Sequence, residues 1–349
     1  CPLLRWSGTA ACCTSAQPAA TRAMMTTNRL YYAYARHALV TALKLVRVQA
    51  GSSVLVPDFV CRDVLASLHS IGANPVFYPI GDDLQIAMTQ PLPSAQAIIV
   101  VNYFGFPSNL QHLRNFASVH TAIIEDNAHG WLSVDRDGTP LGSRADVGIT
   151  SVRKTIRLPD GAFVEWRAAA QLDTNALHDP LTPRNEALPF GFRLRRVVAR
   201  IDSVSPVSVM GASRHTVRLL RRLRGRPAVS ERPDEEWQLP HHRAMHSESL
   251  RLLESVDRSR EVHRRRQLFA RCLSAAQRYD IDTPTPLLNE GVSPQGFAYF
   301  ADTGNLAEFT RLVRRERLGE VVTWPALSAR SPLPTTSRLR TLHLVNFLA

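Results

Sequence analysis

The sequence predicts an α/β protein: a mostly parallel central sheet flanked by helices, with a smaller C-terminal α/β domain. Three observations carry this reading. Apolar runs such as Ala97-Ile98-Ile99-Val100-Val101 have no polar interruption, which suits strands covered on both faces. These runs alternate with segments of helical periodicity, as expected for strands joined by crossover helices. The alternation fades after about residue 166 and returns in short form near residue 297.

Taken in order, Ala38, Leu39, Ala42, Leu43 and Val46 recur at helical spacing and predict a helix over about 36–48, stopped by Gly51. Val54-Leu55-Val56 predicts a strand closed by Pro57. Val64, Leu65, Leu68 and Ile71 predict a helix ended by Gly72, and Pro75 to Tyr78 a strand. Strand 97–101, helix 110–117 and strands 122–124, 147–150 and 162–164 follow. Residues 167–245 read as helices and loops, and 247–277 as one long helix with Leu250, Leu253, Val256 and Leu268 apolar. A strand at 297–300, a helix at 306–318 and a strand at 321–322 form the smaller unit. The expected domains are therefore 26–240, which carries the candidate site, and 241–349. Residues 1–25 lack periodicity and read as a disordered tail, a targeting segment or an uncertain start.

Composition narrows the class. Apolar residues make up 44% of the 349, enough for a substantial core, and no apolar stretch reaches the roughly 18 residues of a membrane span. Five cysteines, at 1, 12, 13, 61 and 272, show neither zinc-site spacing nor a disulfide framework, which points to a reducing, cytoplasmic compartment. The net charge is +12, and arginine supplies most of the excess. Solvated arginine-biased helices account for it; an anionic substrate or a nucleic acid would also be attracted by such a field, which does not choose between them.

The chemistry centres on Lys154. Lys44 and Lys154 are the only lysines, in a chain that writes arginine almost everywhere else. Arginine cannot condense with an aldehyde, so a lysine kept at the end of an apolar run suggests a need for a titratable amine. Asp126 lies 28 positions earlier and ends the run Ile123-Ile124. A lysine for a Schiff base and a carboxylate to keep a pyridine nitrogen protonated, each at a strand end, are what pyridoxal phosphate (PLP) chemistry requires. Glu125 points to the opposite face if the strand continues, and reads as structural. His129 reads equally as a contact to cofactor or substrate and as a plain loop histidine. Phosphate donors are available from the helix start near Ala35 to His37, from the hydroxyls of Thr150 and Ser151, and from Arg36, which serves equally as an ordinary first residue of a helix. Cys61 stands where a chain leaving a strand could pass over a flat ring; a buried inert thiol is the other reading. No Gly-x-Gly-x-x-Gly or Walker-type loop is present, which argues against dinucleotide or nucleotide triphosphate binding.

These segments together resemble the DegT/DnrJ/EryC1/StrS aminotransferases, PLP-dependent enzymes of fold type I. The pieces are Ala35-Arg36-His37-Ala38-Leu39, Val54 to Cys61, Gly72 to Phe77, Asn102 to Pro107, Glu125-Asp126-Asn127-Ala128-His129, and Gly142-Ser143 through Ser151-Val152-Arg153-Lys154. The likeness is strong over 34–166 and weaker over 245–326, where Val322-Thr323-Trp324-Pro325 stands. It implies that Lys154 bonds the cofactor and shuttles the proton, that Asp126 pairs with the pyridine nitrogen, and that His129 lies near the ring oxygen. It implies further that Ser151 and the backbone near Arg36 and His37 hold the phosphate, and that Cys61 packs over the ring. A homodimer with sites at its interface is also implied. The helix start lacks the family's Gly-Thr or Ser-Gly pattern, and Leu158-Pro159-Asp160-Gly161 replaces a glycine-richer turn. The chain also stops before a last helix expected near the family's end.

The leading expectation is a PLP-dependent aminotransferase that takes an amino group from an amino-acid donor and passes it to a keto substrate, such as a nucleotide-linked keto sugar. The competing one is a catalytically inactive protein of the same fold. It would bind nucleic acid or another acidic partner through Arg218, Arg221, Arg222, Arg224 and Arg226, or through Arg264, Arg265 and Arg266. A cofactor-free aldolase would keep Lys154 but have no use for Asp126.

Overall fold

The computed structural model describes residues 27–167, 172–177, 181–188, 191–194, 237–324, 332–334 and 337–348. The large sheet is built from β1 (Thr27–Tyr32), β2 (Ser53–Pro57), β3 (Asn74–Tyr78), β4 (Ala97–Val101), β5 (Ala122–Asn127), β6 (Val147–Thr150) and β7 (Ala162–Arg167). Its order is β1-β7-β6-β5-β4-β2-β3. Strands β2 to β6 run parallel, and β7 alone reverses direction, pairing antiparallel with both β6 and β1. β4 is buried along its whole length, in keeping with its unbroken apolar sequence.

Helix α1 (Ala35–Leu45) packs over β1, β6 and β7 and sinks Ala38, Leu39, Ala42 and Leu43 into the core. That face is the helical repeat read from the sequence. α2 (Arg62–His69) and α3 (Leu110–Arg114) follow β2 and β4. Two glycines let the chain cross the sheet. A Cβ on Gly148, in the middle of β6, would stand 1.6 Å from the Gly142 carbonyl oxygen, so only glycine lets that loop lie on the strand. Gly148→Ala is therefore expected to lose about 3 kcal/mol or more, read as a lowered denaturation midpoint, because the obstacle is backbone and cannot rotate away.

The expected long helix over 247–277 is two helices, α4 (Ser247–Glu254) and α5 (Arg258–Arg278). Asp257 makes the break: its side chain accepts the Arg260 N–H and caps α5. Leu253 of α4 packs with Val152, Leu158 and Phe163. α5 lies on a second sheet of β8 (Gly296–Phe300), β9 (Glu320–Thr323) and β10 (Leu342–Asn346), antiparallel in the order β8-β10-β9, with α6 (Leu306–Arg315) against α5. β1 and β10 were not read from the sequence.

Several contacts join the second unit to the first, among them those of Trp324 and Arg265. Trp324 sets its ring edge-on against Phe59, Phe104 and His129, with centroids 5.5, 4.9 and 5.1 Å away. Arg265 of α5 is wholly buried. It donates to the carbonyls of Pro294 (2.9 Å) and Gln295 (3.1 Å), to that of Thr155, and to Glu261 (2.7 Å). Among the described residues no helix is long and apolar enough to cross a membrane.

Candidate active site

The site forms where β5 and β6 end side by side. Asp126 pairs in register with Ile149, so the carboxyl ends of two adjacent parallel strands deliver Asp126 and, one turn later, Lys154. Strand ends of this kind are where open α/β sheets gather ligands. The two-residue alternation of a strand separates the neighbours of Asp126. Glu125 turns to the other face and is fully buried, accepting from Asn102 (2.7 Å), the Arg144 backbone (2.9 Å) and Arg144 Nε (2.7 Å). Asn102, also at a strand end, belongs to this bracing network and not to the site. Asn127 donates to the Gly130 and Leu141 carbonyls and fixes the loop that leaves the strand.

Asp126 faces a cavity of about 390 Å³, lined also by Tyr34, Arg36, Cys61, Ser151, Arg153 and Lys154. Asp126 accepts a single hydrogen bond, 2.9 Å from the Ala128 amide. Burial pushes its carboxyl above the usual carboxylate range, against the opposing pull of Lys154 and the Ala128 N–H. A carboxylate in this position calls for a cation, and a protonated pyridine nitrogen is one.

His129 sits behind the lysine. Its Nε2 is 3.2 Å from Lys154 Nζ, while Nδ1 accepts the Phe104 backbone N–H at 3.3 Å. Burial, then the Lys154 charge, holds its pKa well below the usual histidine value, so the ring is neutral near pH 7. With Nδ1 accepting, the single ring hydrogen lies on Nε2, where only the uncharged form of the Lys154 amine can accept it. The Phe104 ring stacks on the imidazole at 5.8 Å and 10°, from a backbone at φ 53°. A non-glycine residue in that left-handed conformation is held there by its surroundings, here by its bonds to His129 and Gln295. His129 therefore meets Lys154 directly and is not among the residues lining the cavity.

The other sequence candidates divide. Arg36 lines the cavity, but pairs with Asp63 at 2.7 Å. Ser151 lines it and is almost fully buried. Cys61 lines it too, with its thiol pushed up to about 11 by burial, so it stays protonated and packs. Thr150 turns away: its hydroxyl lies beside Gly142 on the far side of β6 from Ile149 and Ser151, because alternate residues of a strand face opposite ways. His37 is also not a donor here. Its amide closes the first helical turn onto the Tyr34 carbonyl (3.1 Å), and its ring reaches the Pro240 carbonyl at 3.0 Å. Arg153 was passed over in the sequence because successive side chains on extended backbone diverge. Val152–Lys154 is instead a 3-10 turn, and Arg153 and Lys154 both reach the cavity.

The arginines offered for an acidic partner are otherwise engaged. Arg264 binds Glu261 and the Phe347 carbonyl, Arg265 is buried, and Arg266 donates to the Asn289 and Val292 carbonyls. Arg218, Arg221, Arg222, Arg224 and Arg226 lie outside the described residues.

A neutral side chain at 126 should suit the empty cavity better than a charged one. Because the folded-state pKa of Asp126 is raised, the folded protein holds its proton more tightly than the unfolded chain. Stability without cofactor therefore falls as pH rises from the ordinary aspartate range through the raised value. Asp126→Asn is expected to raise the melting midpoint of the cofactor-free protein at pH 7 and to leave it unchanged well below the ordinary aspartate pKa. Differential scanning at both pH values checks this.

The lysine–aspartate pocket lies at the ends of parallel strands. Residues 30–161 match the DegT/DnrJ/EryC1/StrS aminotransferase family. A UDP-N-acetyl-3-dehydro-alpha-D-glucosamine 3-aminotransferase of Acidithiobacillus ferrooxidans is 31% identical over 121 residues, 33% of this chain and 32% of the relative. The chain thus spans about a third of the length of that curated relative. Among solved structures, the aminotransferase TlmJ from Streptoalloteichus hindustanus aligns over 92% of this chain and 80% of its own, with a TM-score of 0.54 at 17% identity. Spr1654 from Streptococcus pneumoniae in its PLP form aligns over 92% and 82%, with a TM-score of 0.56 at 16% identity. The fold is that of the PLP-dependent transferases of fold type I, as the resemblance implied.

Proposed function

We propose that the chain is a PLP-dependent aminotransferase that carries an amino group from an amino-acid donor to the keto group of a nucleotide-linked sugar. One observation carries this: the only buried carboxylate lining the cavity, Asp126, shares it with Lys154. The residues fit the cofactor, since Asp126 makes no ion pair among the described residues and accepts only the Ala128 N–H, Lys154 offers an amine, and Cys61 is a small unreactive surface for a ring. The relative named for a UDP-linked dehydro sugar supports the acceptor class.

When bound, PLP would supply an aldehyde that condenses with amines and a ring that takes up an electron pair. The chain's own residues do the rest. Asp126 holds the proton on the ring nitrogen. The Lys154 amine takes a proton from the donor's α-carbon and returns one, as general base and then acid. His129 Nε2–H orients that amine, and the Phe104 amide holds the imidazole in the required tautomer. A homodimer and a reducing cytoplasmic setting belong to the same reading, supported by the unpaired Cys61 and Cys272.

The test is a half-reaction. Protein loaded with PLP and given L-glutamate without acceptor is expected to release one equivalent of 2-oxoglutarate per site. A UDP-linked keto sugar added next should take up the stored amine. Loaded protein that forms no keto acid from glutamate or from any other common amino acid sinks the assignment.

A further inference from the structure

Five charged groups line the cavity: Arg36, Asp63, Asp126, Arg153 and Lys154. Arg36 is neutralised by Asp63 at 2.7 Å, and Asp126 is drawn to Lys154. That leaves Arg153. Its Nε is buried with no hydrogen-bond partner, and no carboxylate pairs with its guanidinium among the described residues. A buried guanidinium N–H without an acceptor costs free energy unless something fills the place.

The neighbourhood of that guanidinium says what would fill it. Arg153 stands 5.0 Å over the ring of Tyr34, the residue that begins α1. No side chain caps α1 there, and no acidic residue sits in its first turn. The His37 and Ala38 amides are turned onto the Tyr34 carbonyl, which leaves those of Ala35 and Arg36 at the helix start. Ser151, Arg36 and Arg153 line the cavity together with Tyr34 and Ala35. An uncapped helix start, a hydroxyl and a cation without a counter-charge make a seat for a phosphate monoester, and the cation is its strongest member.

We propose that Arg153 binds the phosphate group of the cofactor, adding a side-chain cation to the amides at the start of α1. This rests on the cofactor reading above. The unpartnered Nε–H would be among the donors to that group, and a guanidinium presents its donors in a planar fork that a lysine cannot copy.

The test titrates the full-length wild-type, Arg153→Gln and Arg153→Lys proteins with PLP and with pyridoxal, which lacks the phosphate. Far-ultraviolet circular dichroism and melting check that each variant is folded. The expected result is a loss of about 10- to 100-fold in PLP affinity for Arg153→Gln, pyridoxal affinity unchanged, and partial recovery in Arg153→Lys. Inorganic phosphate should compete with PLP in the wild type at concentrations that leave Arg153→Gln unaffected. Equal weakening toward PLP and pyridoxal would overturn the proposal by showing a packing role. Unchanged PLP binding with a raised KM for the amino donor would overturn it in favour of a donor carboxylate. A wild-type protein that takes up neither form sinks the cofactor reading itself, and this proposal with it; PLP held equally by wild type and Arg153→Gln sinks only the proposal.

Discussion

Lys154→Arg is expected to abolish amino transfer while the protein still folds and still takes up PLP. Arginine keeps the positive charge and much of the length of the side chain, so Asp126 retains a neighbouring cation and the fold loses little. What disappears is a primary amine, the group that condenses with an aldehyde. The guanidinium neither condenses with the cofactor aldehyde nor takes a proton from a substrate carbon, and loss of the general base alone is worth about 10²- to 10⁴-fold. Three readouts separate the causes. Borohydride reduction of loaded wild-type protein should leave the cofactor's mass on the peptide carrying Lys154, and the variant should carry none there. Cofactor affinity should change by less than about tenfold if Asp126 and the phosphate contacts remain, whereas the half-reaction with glutamate should fall at least 10³-fold. Because the chain has one other lysine, Lys44 on α1, the labelling has an internal control. Cofactor mass found on Lys44 and not on Lys154 would remove the basis for the mechanism.

Arg265→Met is expected to lose about 3 kcal/mol of stability, with a parallel fall in cofactor affinity. The signs oppose one another. Burial is costly for this cation: it lowers the guanidinium pKa to about 10 despite Glu261, so removing the charge relieves a penalty. The same removal strands two acceptors. The carbonyls of Thr155 and Pro294 receive N–H groups from Arg265, and each buried acceptor left without a partner costs about 1–3 kcal/mol. The Gln295 carbonyl keeps the Phe347 N–H at 3.1 Å, and Glu261 keeps Arg264 at 2.7 Å, so neither is stranded. Two orphans outweigh one relieved desolvation. Thr155 directly follows Lys154, so the lost clamp also frees the turn that carries the amine. Urea denaturation gives the first effect and a PLP titration the second. A midpoint equal to that of the wild type would mean that methionine packs there without loss and that Arg265 is not the clamp described.

The sequence made the active-site strands legible because they are the parts under the strictest local rules. β4 and β5 are buried on both faces and read as unbroken apolar runs. The period of two places Glu125 and Asp126 on opposite faces from the sequence alone, and the same period separates Thr150 from Ser151, although both hydroxyls suit a phosphate. β1 was missed since it is an edge strand with Asn28 and Arg29 in it and pairs with a partner far along the chain, β7. Such pairing leaves no local signature. β10 pairs between β8 and β9, and its place was equally invisible from 342–346 alone. Arg265 shows the limit most plainly. In an arginine-rich helix one arginine reads like the next, yet Arg264 is partly exposed and Arg265 has no exposed surface. Only the fold distinguishes them, through carbonyls contributed from residues 155, 294 and 295.

Glu125 and Asp126 are neighbours of like charge with unlike tasks, one clasped by Arg144 and the other aimed at the ligand. Sliding β5 by a single position against its two flanking strands would exchange their assignments without altering the amino-acid inventory. The site therefore depends on alignment as much as on identity. An insertion of one residue anywhere between Ala122 and Asp126 is expected to disrupt it as completely as deleting the aspartate.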